Sequence, residues 1–185
     1  MVKLFISEME NAKAHSKVFA EKVLSEYLNV DQDRLAVCRD SFGKPYLKNY
    51  PDIHYNISHT KGVIVCAVSN KPVGVDIERI KKVNHGIVKR FFTVDEQNYI
   101  LNSKGKEDER FIEIWTKKEA YVKWIGKGME IPFEAFDTFC HLNDMLEVIS
   151  IKDYVIALCM DKVKLYENTI KDTIKLNDLK LMTGE

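Results

Sequence analysis

Residues 73–78, Val-Gly-Val-Asp-Ile-Glu, contain two acidic residues at a spacing that would let their side chains act together. This run is rich in β-branched residues and predicts a strand, in which side chains two positions apart lie on one face, roughly 7 Å from each other. Asp76 and Glu78 are therefore expected to point outward together, while Val75 and Ile77 point into the core. Neighbouring carboxylates repel each other, and a hard divalent cation with oxygen ligands relieves that repulsion. The alternative is a surface strand with two solvated acids.

A second group of functional side chains lies on a predicted helix. Residues 111–125 contain neither Gly nor Pro, and Gly126 follows as a stop signal. On such a helix Trp115, Glu119 and Lys123 recur every four residues and lie on one stripe. The alternative is an exposed Glu–Lys ion pair, which would contribute only about 0.3–0.5 kcal/mol. That alternative does not explain why the pair shares its stripe with a Trp, a residue that is usually at least half buried.

Together these stretches resemble the paired signature of the 4'-phosphopantetheinyl transferases. Residues 74–78, GVDIE, resemble that family's strand motif, and residues 115–129, WTKKEAYVKWIGKGM, resemble its helix motif. Upstream, residues 43–45, GKP, and 54–59, HYNISH, resemble two segments of the Sfp-type branch. The resemblance extends over residues 35–139. It implies transfer of the phosphopantetheine arm of coenzyme A to a serine of an acyl or peptidyl carrier protein, with release of adenosine 3',5'-bisphosphate.

The resemblance also implies a metal site and an acid–base role for the matching side chains. Asp76, Glu78 and Glu119 would hold Mg²⁺ against the pyrophosphate of coenzyme A. Lys123 would neutralise or protonate the departing phosphate. The general base is either Glu119 or a metal-bound water, and the residues do not separate these two.

The upstream segments imply contacts to the coenzyme. Lys44, Ser58 and His59 would bind its phosphates through an ammonium, a hydroxyl and an imidazole N–H. Without the resemblance, Lys44 is an ordinary solvated loop lysine, and Ser58-His59 at a strand end is a turn-capping pair. His54 lies within the predicted strand and is expected to be structural.

The chain departs from the longer Sfp-type members near its beginning. Those members carry basic side chains that grip the phosphate at the adenine end of coenzyme A, including an Arg in the first long helix. That position falls near Ala12 here, where Lys13 and His15 are close by but no Arg is. We expect a weaker or differently built grip on the 3'-phosphate.

A carrier protein presents acidic residues around its serine, so a basic or apolar docking patch is expected next to the catalytic helix. The strip of residues 126–133, together with Phe136, is the predicted patch. Core packing of Phe133 and Phe136 is the alternative. Which carrier protein is modified does not follow from the sequence.

The composition narrows the function classes. The chain has 185 residues, with 28 basic and 28 acidic side chains, so its net charge of zero provides no field for nucleic acid or a membrane surface. No apolar run reaches the length of a membrane span or a secretory signal. The cysteines form no C-x-x-C pair and predict buried thiols in a reducing compartment; they are Cys38, Cys66, Cys140 and Cys159. We expect a cytoplasmic monomer with no nucleic-acid partner.

The predicted strands and helices that carry these residues indicate an α+β fold. Strands are predicted at residues 2–6, 35–38, 51–59, 63–69, 73–78, 136–142, 146–151, 154–160 and 163–166, and helices at 10–28, 84–91, 93–102 and 111–125. The runs 51–59, 63–69 and 73–78 are expected to form one antiparallel meander.

The family resemblance implies two similar α/β halves related by a pseudo-twofold axis, each with a small antiparallel sheet packed on helices. Residues 1–73 would carry the coenzyme A phosphate contacts, and residues 74–185 the metal site and the catalytic helix. Chains of the trimeric acyl-carrier synthase branch have about the length of one half, so this chain fits the monomeric, two-half branch better.

Two other function classes stay open. One is a catalytically silent module that binds coenzyme A or a nucleotide. The other is a Mg²⁺-dependent pyrophosphate hydrolase that uses the same carboxylates.

Overall fold

Two three-stranded sheets form the middle of the molecule, and a helix covers the outer face of each. The structure is a computed structural model that describes residues 2–140 and 142–161. In chain order the strands are β1 (Val2–Glu8), β2 (Val37–Arg39), β3 (Pro45–Leu47), β4 (His54–Thr60), β5 (Val63–Ser69), β6 (Val73–Arg79), β7 (Leu146–Ile151) and β8 (Tyr154–Met160). The helices are α1 (Ser16–Leu28), α2 (Val88–Phe91), α3 (Val94–Leu101) and α4 (Glu107–Ile125).

The two three-stranded sheets have the same connectivity. The first sheet has the order β1-β5-β4 and the second the order β6-β8-β7, with all neighbours antiparallel. In each, one strand is followed by helical chain and then by a hairpin, whose second strand returns to the centre of the sheet. Strands β2 and β3 form a separate two-stranded ribbon. The mixed helix and antiparallel-sheet architecture predicted from the sequence is confirmed.

The main core lies between the two sheets, which pack face to face. It contains alternate residues of four strands: Val2, Leu4, Ile6, Val63, Val65, Ala67, Val73, Val75, Ile77, Ile156, Leu158 and Met160. Helix α1 packs on the outer face of the first sheet, and α4 packs on the outer face of the second. Because side chains alternate along a strand, Gly74, Asp76 and Glu78 face α4. The prediction that the two acids share a face is confirmed, but the face is covered by a helix and is not open to solvent.

Gly74 allows α4 to lie directly against β6. A Cβ atom at this position would come 2.1 Å from the carbonyl oxygen of Ala120 and 2.5 Å from the backbone nitrogen of Trp124. No side chain fits in that space, so a glycine is required for the helix backbone to contact the strand. The close approach brings the functional residues of α4 next to those of β6.

The predicted meander is wrong, because β6 does not join the sheet of β4 and β5. Its backbone instead pairs with β8, from Val73 opposite Met160 to Arg79 opposite Tyr154. That partner lies about eighty residues further along the chain, and local sequence patterns carry no information on such distant pairing.

Three other predicted elements are also corrected. The described residues of the predicted strand 136–142, which are 136–140 and 142, form no strand, because Asp137 accepts backbone hydrogen bonds from Phe139 and Cys140 and holds a turn instead. The first helix begins at Ser16 rather than at residue 10, since Asn11 has a left-handed φ of 54° that interrupts a helix. Helix α4 begins at Glu107 rather than residue 111, with three acidic residues in its first turn, where they favour a helix start.

Several predicted boundaries are confirmed. The runs 63–69, 146–151 and 154–160 are strands with those limits. Helix α3 opens with the predicted capping box of Thr93 and Glu96, and α4 ends at Gly126 in a left-handed conformation. The predicted strand at 163–166 lies outside the described residues.

The four cysteines are free, but they are not all buried. Cys66 and Cys159 are buried, Cys38 is half-buried and Cys140 is exposed. Within residues 2–140 and 142–161, no helix is both long and apolar enough to cross a lipid bilayer.

Candidate functional site

Asp76 lies at the centre of a polar cluster where β4, β6 and α4 meet. Its Oδ1 atom accepts hydrogen bonds from Ser58 Oγ at 2.7 Å and from Lys123 Nζ at 2.6 Å. Lys123 Nζ also donates to Ser58 Oγ at 2.9 Å, so the three groups form a closed triangle. Asp76 and Ser58 are both buried, which makes these charge-assisted contacts stronger than they would be in water.

The second oxygen of Asp76 has no hydrogen-bond partner among the residues that the structure describes. Asp76 Oδ2 is buried and accepts no hydrogen bond from any described residue. An unsatisfied buried carboxylate oxygen costs free energy, because it has given up its water without gaining a donor. A cation bound at this oxygen would remove that cost.

Glu78 and Glu119 add negative charge around Asp76. Burial, followed by the charge of Asp76, raises the pKa of Glu78 above its usual range. The pKa of Glu119 is raised by the same two causes in the same order, while Lys123 acts in the opposite direction. Burial is the larger cause at both groups and the charge of Asp76 adds to it, so a bound cation would favour the ionised form of both carboxyls.

The donor set therefore fits a hard divalent cation, although the ligands are not arranged around one point. In the described part of the chain, no three His, Cys, Asp or Glu side chains form a group that could hold a metal ion as they stand. The fit rests on the unpartnered oxygen of Asp76 and on the excess of carboxylates, whose oxygens Mg²⁺ prefers.

Lys44 reaches the same site from the loop between β2 and β3. Its Nζ donates to the backbone carbonyls of Lys123 at 2.7 Å and Trp124 at 3.0 Å, at the C-terminal end of α4. These carbonyls belong to the last helical turn, where favourable contacts with cations are expected. Burial lowers the pKa of Lys44, partly offset by the charge of Asp40. The ammonium predicted to bind phosphate therefore also caps the C-terminal end of α4.

Ser58 and His59 lie on opposite faces of β4. Ser58 pairs across the sheet with Val65 in the core between the sheets, whereas His59 pairs with Ile64 on the α1 side. Burial lowers the pKa of His59, and the charges of Lys123 and Lys13 lower it further. The imidazole is thus neutral at pH 7 and can donate one hydrogen bond.

Asn56 is a further residue of the candidate site, to which the sequence analysis gave no role although it lies within the motif of residues 54–59. Its Oδ1 accepts a hydrogen bond from the backbone N–H of Val75 at 2.9 Å and so joins the edge of β4 to the edge of β6. It lies two positions before Ser58 on the same strand face, as the alternation of strand residues predicts. That alternation was the available signal, because it places two polar side chains on a face that otherwise packs against the core.

A cavity of about 230 Å³ opens beside this cluster. Lys44 and Asn56 line it on one side, and Glu119 and Lys123 line it on the other. Glu78 lines a separate cavity with Trp115. The structure therefore brings Lys44, a phosphate-binding candidate, to the same cavity as the acid–base candidates Glu119 and Lys123, whereas Ser58 and His59 do not line it.

The predicted docking strip contains two packed aromatic rings. Phe133 and Phe136 are half-buried, and their ring centroids lie 5.1 Å from Trp115 and 4.7 Å from Tyr121 respectively. These edge-on and tilted contacts are typical of core packing. They favour the packing alternative for these two residues.

Comparison with known proteins agrees with these motifs. A family model described as the 4'-phosphopantetheinyl transferase superfamily matches residues 72–161. The chain is 42% identical over 123 residues to the 4'-phosphopantetheinyl transferase gsp of Aneurinibacillus migulanus, covering 65% of this chain and 50% of that protein. It is 31% identical over 132 residues to the 4'-phosphopantetheinyl transferase Sfp of Bacillus subtilis (strain 168), covering 71% and 59%.

A more distant relative is the 4'-phosphopantetheinyl transferase HetI of Nostoc, which is 29% identical over 114 residues. That match covers 58% of this chain and 48% of the relative. The chain thus spans about half the length of the curated relatives that it matches. The residues matched by the family model contain β6 and α4, and with them Asp76 and Lys123 of the cluster but not Ser58. On these residues and these relatives, residues 72–161 match the 4'-phosphopantetheinyl transferase superfamily, and the chain is similar to Sfp-type members of that superfamily.

Proposed function

We propose that the protein transfers the 4'-phosphopantetheine arm of coenzyme A to a serine hydroxyl of an apo acyl or peptidyl carrier protein. The observation that carries this proposal is the buried Asp76, which binds Lys123 through one oxygen and leaves the other unpartnered beside two further carboxylates. Such a site suits a pyrophosphate held by a divalent cation and an ammonium group.

The reaction needs a base for the serine and a stabiliser for the departing phosphate. The serine oxygen attacks the phosphorus attached to pantetheine, its proton goes to a base, and the bond to the adenosine 3',5'-bisphosphate oxygen breaks. Glu119 is the proposed base, because it lines the same cavity as Lys123 and Lys44. Lys123 faces the same cavity and is the proposed partner of the leaving phosphate.

Asp76, Glu78 and Glu119 are the proposed ligands of Mg²⁺. When bound, Mg²⁺ would offset the negative charge of the pyrophosphate. Ser58 holds Asp76 Oδ1 by its hydroxyl, which leaves Oδ2 as the oxygen available to a cation. Removal of divalent cation is expected to abolish transfer.

Lys44, Ser58 and His59 are the proposed contacts to the coenzyme. Lys44 lines the cavity with its flanking residues Gly43 and Pro45, so a nucleotide phosphate in this space would lie within reach of its ammonium. His59 lies on the α1 side of β4, near Lys13. Lys44 in the cavity and His59 on the α1 side of β4 therefore suit two different phosphate groups of one coenzyme better than a single phosphate.

The proposed architecture is two halves, residues 1–73 and 74–185, related by a pseudo-twofold axis. Its support is the equal strand order and connectivity of the two sheets. We propose further that the protein acts as a monomer in the cytoplasm, where coenzyme A and apo carrier proteins are both found and where free thiols persist.

The test is the intact mass of an apo carrier protein after incubation with the protein, coenzyme A and Mg²⁺. The expected result is a gain of one phosphopantetheine group, about 340 Da. The gain should disappear with Glu119→Gln and when EDTA replaces Mg²⁺. No gain with either a fatty-acid or a peptide-synthetase carrier would contradict the proposal. Release of 4'-phosphopantetheine and adenosine 3',5'-bisphosphate from coenzyme A without any carrier would indicate a pyrophosphate hydrolase.

A further inference from the structure

Lys118 is a charged side chain that the proposed reaction does not use, and it is completely buried. Its relative exposure is 0%. Its Nζ lies 2.8 Å from Glu96 Oε2 in α3 and donates to the backbone carbonyls of Phe133 and Phe136, at 2.7 and 2.5 Å. An ammonium has three donors, so all of them are used. Lys118 therefore connects α4 to α3 and to the segment 133–136.

Glu96 is equally enclosed and equally satisfied. It has 0% exposure, and its Oε1 accepts hydrogen bonds from the backbone N–H and the hydroxyl of Thr138, both at 2.9 Å. Its Oε2 accepts from the backbone N–H of Thr93 at 3.0 Å, closing the capping box of α3. The network thus leaves no buried donor or acceptor of the two charged groups without a partner.

A buried ion pair is a poor way to gain stability. Desolvation of the two charges commonly costs as much as their attraction returns, and well-packed apolar residues often stabilise as much or more. Such a network instead fixes the relative orientation of the elements that it connects, because a hydrogen bond is strong only when donor and acceptor are aligned. Rotation or sliding of α4 would break three hydrogen bonds of Lys118 at once.

The residue after Lys118 is Glu119, and Lys123 follows one turn later. Successive helical residues are about 100° apart, so a helix anchored through Lys118 on one side presents Glu119 toward β6 on another. Misplacement of a reacting group by about 1 Å can lower a rate about 100-fold. The geometry of the site therefore depends on the angle at which α4 is rotated about its own axis.

We propose that Lys118 and Glu96 are positioning residues, which fix the rotation of α4 and thereby place Glu119 and Lys123 against Asp76. This inference rests on the proposed transferase function. Neither residue lines the 230 Å³ cavity, so neither would touch the substrate there. Their effect would appear in the chemical step and not in the binding of coenzyme A.

The test compares the wild-type protein with the double variant Glu96→Gln/Lys118→Met in the carrier-protein mass assay run as a time course. Both charges are removed together, so neither is left buried without its partner. At a temperature where both proteins are folded, we expect kcat to fall at least about 10-fold while KM for coenzyme A changes less than about threefold. The thermal midpoint, measured by circular dichroism, shows whether the variant is folded.

Lys117→Met is the matched control. Lys117 is the preceding lysine of α4, and it pairs with Glu113 at 2.8 Å outside the network. Its kcat should stay within about twofold of wild type, since partly exposed helix pairs contribute little. If the double variant does not fold, Thr138→Val replaces it, because this substitution removes one donor to Glu96 and keeps the side-chain shape.

The outcomes separate the two proposals. A folded variant with wild-type kcat would overturn the positioning role, and so would an unchanged kcat in Thr138→Val if the double variant fails to fold. Equal losses in kcat and in coenzyme A affinity would also overturn it, since they indicate a general loosening of the cavity. An inactive wild-type protein would instead contradict the proposed function itself.

Discussion

The first strands of the two sheets present different chemistry to the helices that cover them. In β1 the positions facing α1 are Lys3, Phe5 and Ser7, and Phe5 fills a core with apolar residues of α1. In β6 the corresponding positions facing α4 are Gly74, Asp76 and Glu78. Both strands have seven residues, and both turn their other face to the core between the sheets.

This difference shows how one scaffold can serve two purposes. Between β1 and α1 an aromatic ring fills the gap, so the contact stabilises the fold. Between β6 and α4 a glycine lets the two backbones touch, and the space beside it accommodates carboxylates that oppose one another. Functional sites commonly lose local stability in this way and depend on the rest of the fold to hold them.

The largest expected effect comes from closing the contact between β6 and α4. Gly74→Ala places a Cβ 2.1 Å from the Ala120 carbonyl oxygen, so strand and helix must move apart. We expect a loss of about 3 kcal/mol in the free energy of unfolding, measured by urea denaturation. Transfer activity should fall at least about 100-fold, because Glu119 moves with the helix.

The control for this substitution is Gly105→Ala. No atom lies within 4 Å of a Cβ at that position, although its φ is +84°. Only the cost of the left-handed conformation is expected, about 1–2 kcal/mol, with unchanged activity. Similar activity losses in the two variants would show that the contact at Gly74 has no special role.

Substitutions in β6 and β1 should differ in their effects, with activity lost in β6 and stability lost in β1. Asp76→Asn keeps the size of the side chain and removes its charge, and we expect transfer to fall at least about 100-fold through loss of metal and Lys123 contacts. Phe5→Ala should cost about 3–5 kcal/mol of stability, through its cavity, with little change in kcat where the protein is folded. Steady-state kinetics and urea denaturation of both variants provide the comparison.

Either of two results would contradict this distinction between β1 and β6. A kcat for Phe5→Ala as low as that for Asp76→Asn would mean that the first half contributes directly to chemistry. A larger stability loss in Asp76→Asn than in Phe5→Ala would mean that the carboxylate is mainly structural.

A smaller expected effect concerns the free-energy cost of ionising Glu119 in the folded protein. Its pKa is raised in the folded state, so the ionised form opposes folding above that pKa, and this opposition is absent below the ordinary glutamate pKa of about 4.3. In EDTA at pH 7 we expect Glu119→Gln to have a higher thermal midpoint than wild type. The difference should shrink as the pH falls through the raised pKa, because wild-type Glu119 then becomes protonated.

Glu21→Gln on α1 is the matched control for that measurement. Glu21 has a lysine four positions away, as Glu119 has, and lies 3.7 Å from that residue, Lys17. Its substitution should leave the midpoint within about one degree at either pH, as expected for a surface pair. A lower midpoint for Glu119→Gln at pH 7 would contradict the raised pKa of Glu119.

The smallest expected effect concerns the adenine end of coenzyme A. Ala12 is buried, but Lys13 is exposed and lies near enough to His59 to lower its pKa. We expect Lys13→Ala to raise KM for coenzyme A about threefold, as for one exposed charge contact, and to leave KM for 3'-dephospho coenzyme A unchanged. Lys17→Ala is the control, and equal changes with both substrates would exclude a contact to the 3'-phosphate.

The sequence alone predicted what is written in local patterns. The limits of β5, β7 and β8, the capping box at Thr93 and the end of α4 at Gly126 all follow from alternation, capping and glycine preferences within a few residues. The shared face of Asp76 and Glu78 follows from strand geometry for the same reason. The family motifs were recognisable because they too are short and contiguous.

Only the tertiary structure decided which elements meet. It paired β6 with β8 rather than with β5, placed Ser58 on Asp76 and brought Lys44 to the end of α4. It also showed that Lys118, adjacent to Glu119 in sequence, is buried against Glu96. These contacts join residues about twenty to eighty positions apart, and they depend on packing and on pairing of distant strands, neither of which leaves a periodic signal in the chain.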